Sequence, residues 1–243
     1  MATAGGRRGA GAERAWCADL RAEAGAAVTL DREESGHLVR SRRAQVGDEV
    51  VLFDGAGTLR AGALIATDPR AAQVRLAGSP PARDPVRRLR MAIALPEMGR
   101  CDRMLAMLAE LGVAEVVPLT CARADPGRPA QAARRLARWG KLAREALKIN
   151  GAAHALTVGD ARGLEALGPE GLVLLDPDPE ARALAAVLAA AASTPWLAIG
   201  PEGGFTPEEL AAARAGGAAV ARLGAPALRV ETAAVAAAAV ALA

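Results

Sequence analysis

Apolar residues fall into two successive rhythms along this chain. In the first third they come in short runs, at 27–30, 49–53, 61–65 and 73–76, separated by polar and small residues. Runs of that length predict strands, and Asp54-Gly55-Ala56-Gly57 between the second and third predicts a hairpin loop. A short helical stretch begins at Asp31, a good N-cap with Glu34 three residues on. Residues 16–80 therefore read as a small β-rich barrel or open sheet, and the small, polar and charged residues 1–15 before it predict a disordered tail.

A proline-rich stretch at 78–85 marks the boundary, and residues 81–243 follow a second rhythm. Strands are predicted near 89–95, 115–118, 172–175, 196–199 and 219–223, and helices near 101–111, 130–149, 180–191, 207–215 and 230–242. This alternation predicts an α/β domain: a mostly parallel sheet with helices on both faces. Two helix starts are well marked. Thr206-Pro207-Glu208-Glu209 combines a threonine N-cap, proline at the first helical position and glutamate at the third, and Asp178-Pro179-Glu180 is similar. The uncharged segment 232–243 is too short to span a bilayer and reads as a buried terminal helix, so no membrane partner is expected.

Composition changes this picture only in places. Aromatics are 2% of the chain, so Leu, Val, Ile and Ala must fill the core. The net charge is +3, with clusters at Arg40, Arg42 and Arg43 and at Arg83, Arg87, Arg88 and Arg90, where local potential would attract a polyanion. On the helix predicted at 130–149, Arg134, Arg138, Lys141, Arg144 and Lys148 share about a third of the circumference, with Glu145 among them. A solvated basic face and a phosphate-contacting one both fit that stripe. Cys17, Cys101 and Cys121 are odd in number and form no paired motif, which fits a reducing cytoplasm, and with only His37 and His154 as histidines no metal site is expected. No apolar run follows Arg7 and Arg8, so no signal peptide is expected.

The candidate chemistry lies in the last quarter. Ile199-Gly200-Pro201-Glu202-Gly203-Gly204-Phe205-Thr206 and Leu223-Gly224-Ala225-Pro226-Ala227-Leu228-Arg229-Val230-Glu231-Thr232-Ala233 each follow an apolar run and open a helix. Two backbone-lined turns at one end of a sheet are where an α/β protein holds a small ligand. The first turn lacks the lysine and hydroxyl residue of a P-loop, which disfavours a triphosphate. Its glycines can either let backbone approach a flat ligand or merely supply positive φ. Arg229 can stabilise an anion, and Glu231 suits either the helix amino terminus or catalysis.

These residues closely resemble the RsmE family of 16S rRNA (uridine-N3) methyltransferases in the SPOUT superfamily. The match runs through Ile199 to Leu210 and through Leu223-Gly224 with Leu228 to Ala234. It extends to Glu110-Leu111-Gly112-Val113, Val117-Pro118, Arg138-Trp139, Glu145-Ala146 and, in the first domain, His37-Leu38, Arg43, Gly47-Asp48 and Phe53-Asp54-Gly55. The resemblance implies a SPOUT-type trefoil-knotted sheet preceded by a PUA-like RNA-binding domain, a homodimer, and S-adenosyl-L-methionine as cofactor. It implies cofactor contacts at Leu175, Ile199, Gly200, Pro201, Glu202, Gly203, Gly204, Leu223, Gly224, Leu228, Arg229 and Thr232. Arg229 and Glu231 are the catalytic candidates, and His37, Arg40, Arg43, Arg123, Arg134 and Arg138 the contacts to 16S rRNA or the small ribosomal subunit.

Several positions depart from the family pattern. Gly36 precedes His37 where a second histidine is usual, Glu97 and Met107 replace lysines, and Ile149-Asn150-Gly151-Ala152 replaces a Gln-Ser/Cys-Gly-Arg sequence. The losses fall where RNA is expected and spare the cofactor segments. A non-catalytic or divergent RNA-binding or ribosome-assembly protein with the same fold is the alternative that they leave open.

Overall fold

The short apolar runs of the first third pair into a five-stranded sheet. In this computed structural model, which describes residues 12–78, 88–168, 171–224 and 227–243, the chain divides into two units. The first comprises β1 (Glu13–Trp16), β2 (Ala27–Thr29), α1 (Arg32–Gly36), β3 (Glu49–Phe53), β4 (Leu59–Ala66) and β5 (Gln73–Leu76), in sheet order β1-β3-β4-β5-β2. β1 runs parallel to β3, and the other pairs are antiparallel. Leu38, Val50, Leu52, Leu64 and Val74 fill the core. Asp31 caps α1, accepting from the Glu34 amide at 2.8 Å. The hairpin turn is held by Asp54, whose Oδ1 accepts from Ala56 and Thr58. Past α1 the chain enters a π-helical turn, His37–Ser41.

Two features of this unit correct the sequence reading. The strand β1 starts within the segment predicted to be disordered, because Ala15 is wholly buried and four residues of alternation carry too little signal. Residues 1–11 lie outside the described residues. Gly151–His154 belongs to this unit although it is far away in sequence. Gly57 donates to the Ala153 carbonyl at 3.1 Å, Arg14 to the Ala152 carbonyl at 2.9 Å, and His154 bridges to Ala56. The proline-rich boundary, with Arg83 and Arg87, lies outside the described residues.

The second unit is built on β6 (Arg90–Ile93), α2 (Met98–Leu111), β7 (Glu115–Thr120), α3 (Arg128–Ala133), α4 (Leu136–Asn150), β8 (Thr157–Val158), β9 (Arg162–Gly163), β10 (Leu172–Leu175), β11 (Arg182–Ala183), α5 (Leu184–Ala190), β12 (Trp196–Ile199), α6 (Pro207–Ala215), β13 (Ala219–Arg222) and α7 (Val230–Leu242). The eight-stranded sheet has the order β11-β13-β10-β12-β6-β7-β8, with β9 on β7, and all its pairs are parallel. Alternate strand residues serve opposite faces. Leu197 and Ile199 join α2, α4, α5 and α7 on one side, whereas Trp196 and Ala198 join α6 and a 3-10 turn, Leu164–Leu167, on the other. Ala234, Ala237, Ala238 and Ala241 are buried on α7, which lets that helix pack close to α2.

Three helix expectations change. The helix predicted at 180–191 starts only at Leu184, since Asp178 makes a turn by accepting from the Glu180 amide at 2.9 Å. Glu97 is a cap rather than a mere lost lysine: its carboxylate accepts from the Gly99 amide and starts α2. The long basic helix is broken between α3 and α4. Just past the break, Asp102 on α2 accepts from Arg135 at 2.8 Å and from the Trp139 indole at 2.7 Å and pairs with Arg138 at 2.9 Å. Of the predicted stripe, Arg134 sits at the break and is exposed, as are Arg138 and Lys141 on α4, whereas the Lys148 side chain is buried beside Glu145.

Asp102 thus fastens α4 to α2. Burial raises its carboxyl, but the Trp139 and Arg135 hydrogen bonds and the charges of Arg135 and Arg138 outweigh that and hold it below its usual 3.8. Asp102→Asn is expected to cost about 1–3 kcal/mol in urea unfolding, by weakening charge-assisted bonds. A carboxyl depressed in the folded state contributes stability above its unfolded pKa and loses it as pH falls through the folded one. The gap between wild type and D102N should therefore persist above pH 3.8 and close below it.

Candidate functional site

Three neighbouring strands, β13, β10 and β12, end at the same edge of the sheet. The chain leaves β12, passes through α6 and returns as β13 on the other side of β10, so the loops after all three strands converge beside β10. Open parallel sheets hold their ligands at such a crossing, outside the carboxyl ends of the strands. A cavity of about 290 Å³ lies there, lined by Leu175, Asp176 and Pro177, by Ile199 to Phe205, by Leu223, Gly224, Ala227 and Leu228, and by Val230 and Ala233. Its volume is near the lower end of the range for small-molecule sites, about 300–1,000 Å³.

Ten of the twelve predicted cofactor residues line this cavity: Leu175, Ile199, Gly200, Pro201, Glu202, Gly203, Gly204, Leu223, Gly224 and Leu228. Arg229 and Thr232 do not. Arg229 is the N-cap residue of α7 and is exposed, as is Thr232. Asp176, Pro177, Phe205, Ala227, Val230 and Ala233 also line it without having been predicted as contacts, and for Asp176 and Pro177 the end of an apolar strand at Leu175 was the available signal.

The first glycine loop is held rigidly. Arg123, expected to contact RNA, donates from Nη1 to the Gly203 carbonyl at 2.6 Å and to the Phe205 carbonyl at 3.4 Å. Thr206 and Glu209 close a capping box at the start of α6, and Glu209 also accepts from the Ala122 amide at 2.7 Å. The loop and the segment carrying Arg123 are thereby tied to one helix end. Gly204 needs its φ of 68°, and a Cβ at Gly200 would meet the Phe205 ring at 3.2 Å.

Among the described residues, the lining carries two carboxylates, Asp176 and Glu202, and no basic side chain. That balance disfavours a phosphate and suits a cationic ligand. Glu231 lies just beyond the lining; its side chain is 18% exposed, Oε1 is 3.8 Å from Arg100, and Oε2 is buried without a hydrogen-bond partner among the described residues. Of the other RNA candidates, His37 is half-buried in the first unit, while Arg40 and Arg43 are exposed there, Arg43 with a φ of 57°. Arg134 and Arg138 are exposed in the second unit. No group of three or more His, Cys, Asp or Glu among the described residues could hold a metal, and no helix there is long and apolar enough to cross a membrane.

A second cavity, about 670 Å³, is lined by Thr120, Cys121, Gly163 to Glu165, Leu172 and residues of α6, on the face that α6 covers. It contains none of the predicted site residues.

Comparison with known proteins bears on both units. Residues 82–242 match the RNA methyltransferase domain family, and residues 30–77 match its RNA methyltransferase PUA domain. The ribosomal RNA small subunit methyltransferase E of Mycobacterium bovis is 29% identical over 228 residues, spanning 89% of this chain and 86% of that protein. The fold is shared with a ribosomal RNA small subunit methyltransferase E from Neisseria gonorrhoeae bound to S-adenosyl methionine, at a TM-score of 0.79 and 24% identity over 94% of this chain and 96% of that one. A probable rRNA-methyltransferase from Porphyromonas gingivalis is also similar, with a TM-score of 0.77 and 26% identity over 93% and 95% of the two chains.

If Arg123 is what steadies the first loop, Arg123→Ala should leave unfolding of the whole protein little changed. Amide hydrogen exchange across residues 200–206 should quicken by about ten- to a hundredfold, the equivalent of one charge-assisted hydrogen bond. Unchanged exchange there would show that the capping box holds the loop alone.

Proposed function

This chain belongs to the RNA methyltransferase family, and from that premise we propose that it methylates N3 of a uridine in 16S ribosomal RNA, with S-adenosyl-L-methionine as methyl donor. The observation that carries the reading is the convergence of both glycine segments and the end of β10 on one cavity within the matched domain. The relatives' names and the bound S-adenosyl methionine of the Neisseria structure support it.

The residues present fit that donor. Its sulfonium is positive, and the lining offers the carboxylates of Asp176 and Glu202, the latter paired with Arg100 from outside the lining. Glycine backbone at Gly200, Gly203 and Gly204 allows close approach, while Leu175, Ile199, Leu223 and Leu228 supply apolar walls. When bound, the donor supplies an electrophilic methyl group. The chain's part is to orient the reactants and to manage a proton and a charge. N3–H of uracil is weakly acidic and must be lost, so negative charge develops on the base. Arg229, exposed at the start of α7, is the residue we assign to stabilise that charge. Glu231, the second residue of that helix, keeps an unpartnered carboxylate oxygen among the described residues and is the proposed acceptor of the proton.

RNA contacts are proposed at Arg40 and Arg43 of the PUA-like domain and at Arg134 and Arg138 of the methyltransferase domain, all exposed, with His37 half-buried beside them in the first unit. Arg123, also exposed, stays in this set, with one guanidinium nitrogen engaged on the loop. The proposal includes a trefoil knot at the site, a homodimer and a cytoplasmic location. The return of β13 past β10 is compatible with the knot, and exposed Met107 and Leu111 on α2 and Val240 on α7 are apolar surface that a second copy would bury.

Purified protein incubated with S-adenosylmethionine and small ribosomal subunits or free 16S RNA lacking the mark should form N3-methyluridine, read by mass spectrometry of nuclease digests. Arg229→Ala should slow the reaction about 100-fold or more, with a smaller effect on cofactor affinity. Cofactor binding without any methylation of either RNA form would favour the non-catalytic alternative.

A further inference from the structure

Arg100, outside the cavity lining, pairs with the first glycine loop and with the start of α7 that follows the second. Arg100 stands in the first turn of α2, 30% exposed, with Nη1 3.4 Å from Oε1 of Glu202 and 3.8 Å from Oε1 of Glu231. Glu202 belongs to the first glycine loop, and Glu231 follows directly on the second. The two carboxylates are thus linked through a single guanidinium carried by a third element.

The two pairings differ in weight. Glu202 is 57% exposed, and a pair that wet contributes little by itself. Glu231 is 18% exposed with Oε2 buried, so its charge has little water to fall back on, and Arg100 is the cation that compensates it. Removing Arg100 would leave Glu231 uncompensated and free Glu202 at the same time. The cost would appear as movement of the two loops relative to each other, which is the dimension a ligand between them must match.

We infer that Arg100 is a positioning residue for the cofactor, acting through Glu202 and Glu231 to fix the separation of the two glycine loops. This rests on the reading of the cavity as an S-adenosylmethionine site. Arg100 does not line the cavity and needs no contact with the ligand. Both pairings run through the one nitrogen Nη1, at 3.4 and 3.8 Å, and a lysine ammonium is a more strongly hydrated charge on a different stem, so it replaces the arginine only in part.

The test is calorimetric titration with S-adenosylmethionine, alongside thermal unfolding, for wild type, R100A, R100K, R100Q, E231Q and the double variant R100A/E231Q. R100A should raise the dissociation constant about tenfold and R100K about threefold. The loss from R100A/E231Q should be well short of the sum of the single losses, because both substitutions break one linkage. In turnover the effect should fall on KM for the cofactor more than on kcat. R100Q, which keeps the length of the side chain without its charge, carries the comparison if R100A does not fold. Wild-type affinity in R100A or R100Q, with or without a lower melting temperature, overturns the inference and leaves the cofactor reading standing. Absence of binding by wild type overturns both.

Discussion

The hydrogen bond from Arg123 to the Gly203 carbonyl is the interaction on which the site depends. A glycine-rich loop offers bare backbone to a ligand, yet the same freedom lets it wander, and an ordered loop must recover the entropy that its glycines lose. Here a guanidinium from the β7 exit holds Gly203, and the capping box at Thr206 fixes the point where the loop becomes α6. Because Glu209 also binds the Ala122 amide, the clamp and the loop it holds share one anchor. The cavity wall is therefore braced by side chains that do not themselves line it.

The parallel sheet supplies the other half of the constraint. Only at the crossing beside β10 do the ends of β13, β10 and β12 lie together, and α7 must then begin at the cavity for its alanines to bury against α2. Asp102 extends the same logic outward, since it ties α4 to α2 and turns Arg135, Arg138 and Trp139 toward one acceptor. Carboxylates thus organise much of the charged structure near α2: Glu97 starts the helix, Asp102 anchors its neighbour, and Glu202 and Glu231 meet at Arg100.

The parts legible in the sequence were those whose cause is local. The Thr206 cap, the glycine loops and the apolar strands at 172–175 and 196–199 each carry their signal within a few residues, and the structure has them where periodicity and capping predict. What escaped depends on distant partners. The anchoring of α4 past its break rests on Asp102, 33 and 37 residues away from the Arg135 and Trp139 it binds. The hydrogen bond that Arg123 makes depends on a carbonyl 80 residues on, which no local pattern announces. The strand β1 and the Gly151–His154 segment likewise exist only because residues far along the chain receive them.

The central claim is that both glycine loops enclose the methyl donor at the end of β10. Backbone amide shifts of isotopically labelled protein, followed by NMR during titration with S-adenosylmethionine, test it most directly. The account predicts saturable shifts concentrated at residues 175–177, 199–205 and 223–233. Shifts centred instead on the larger cavity at Gly163 to Glu165 and α6, or on neither, would contradict it.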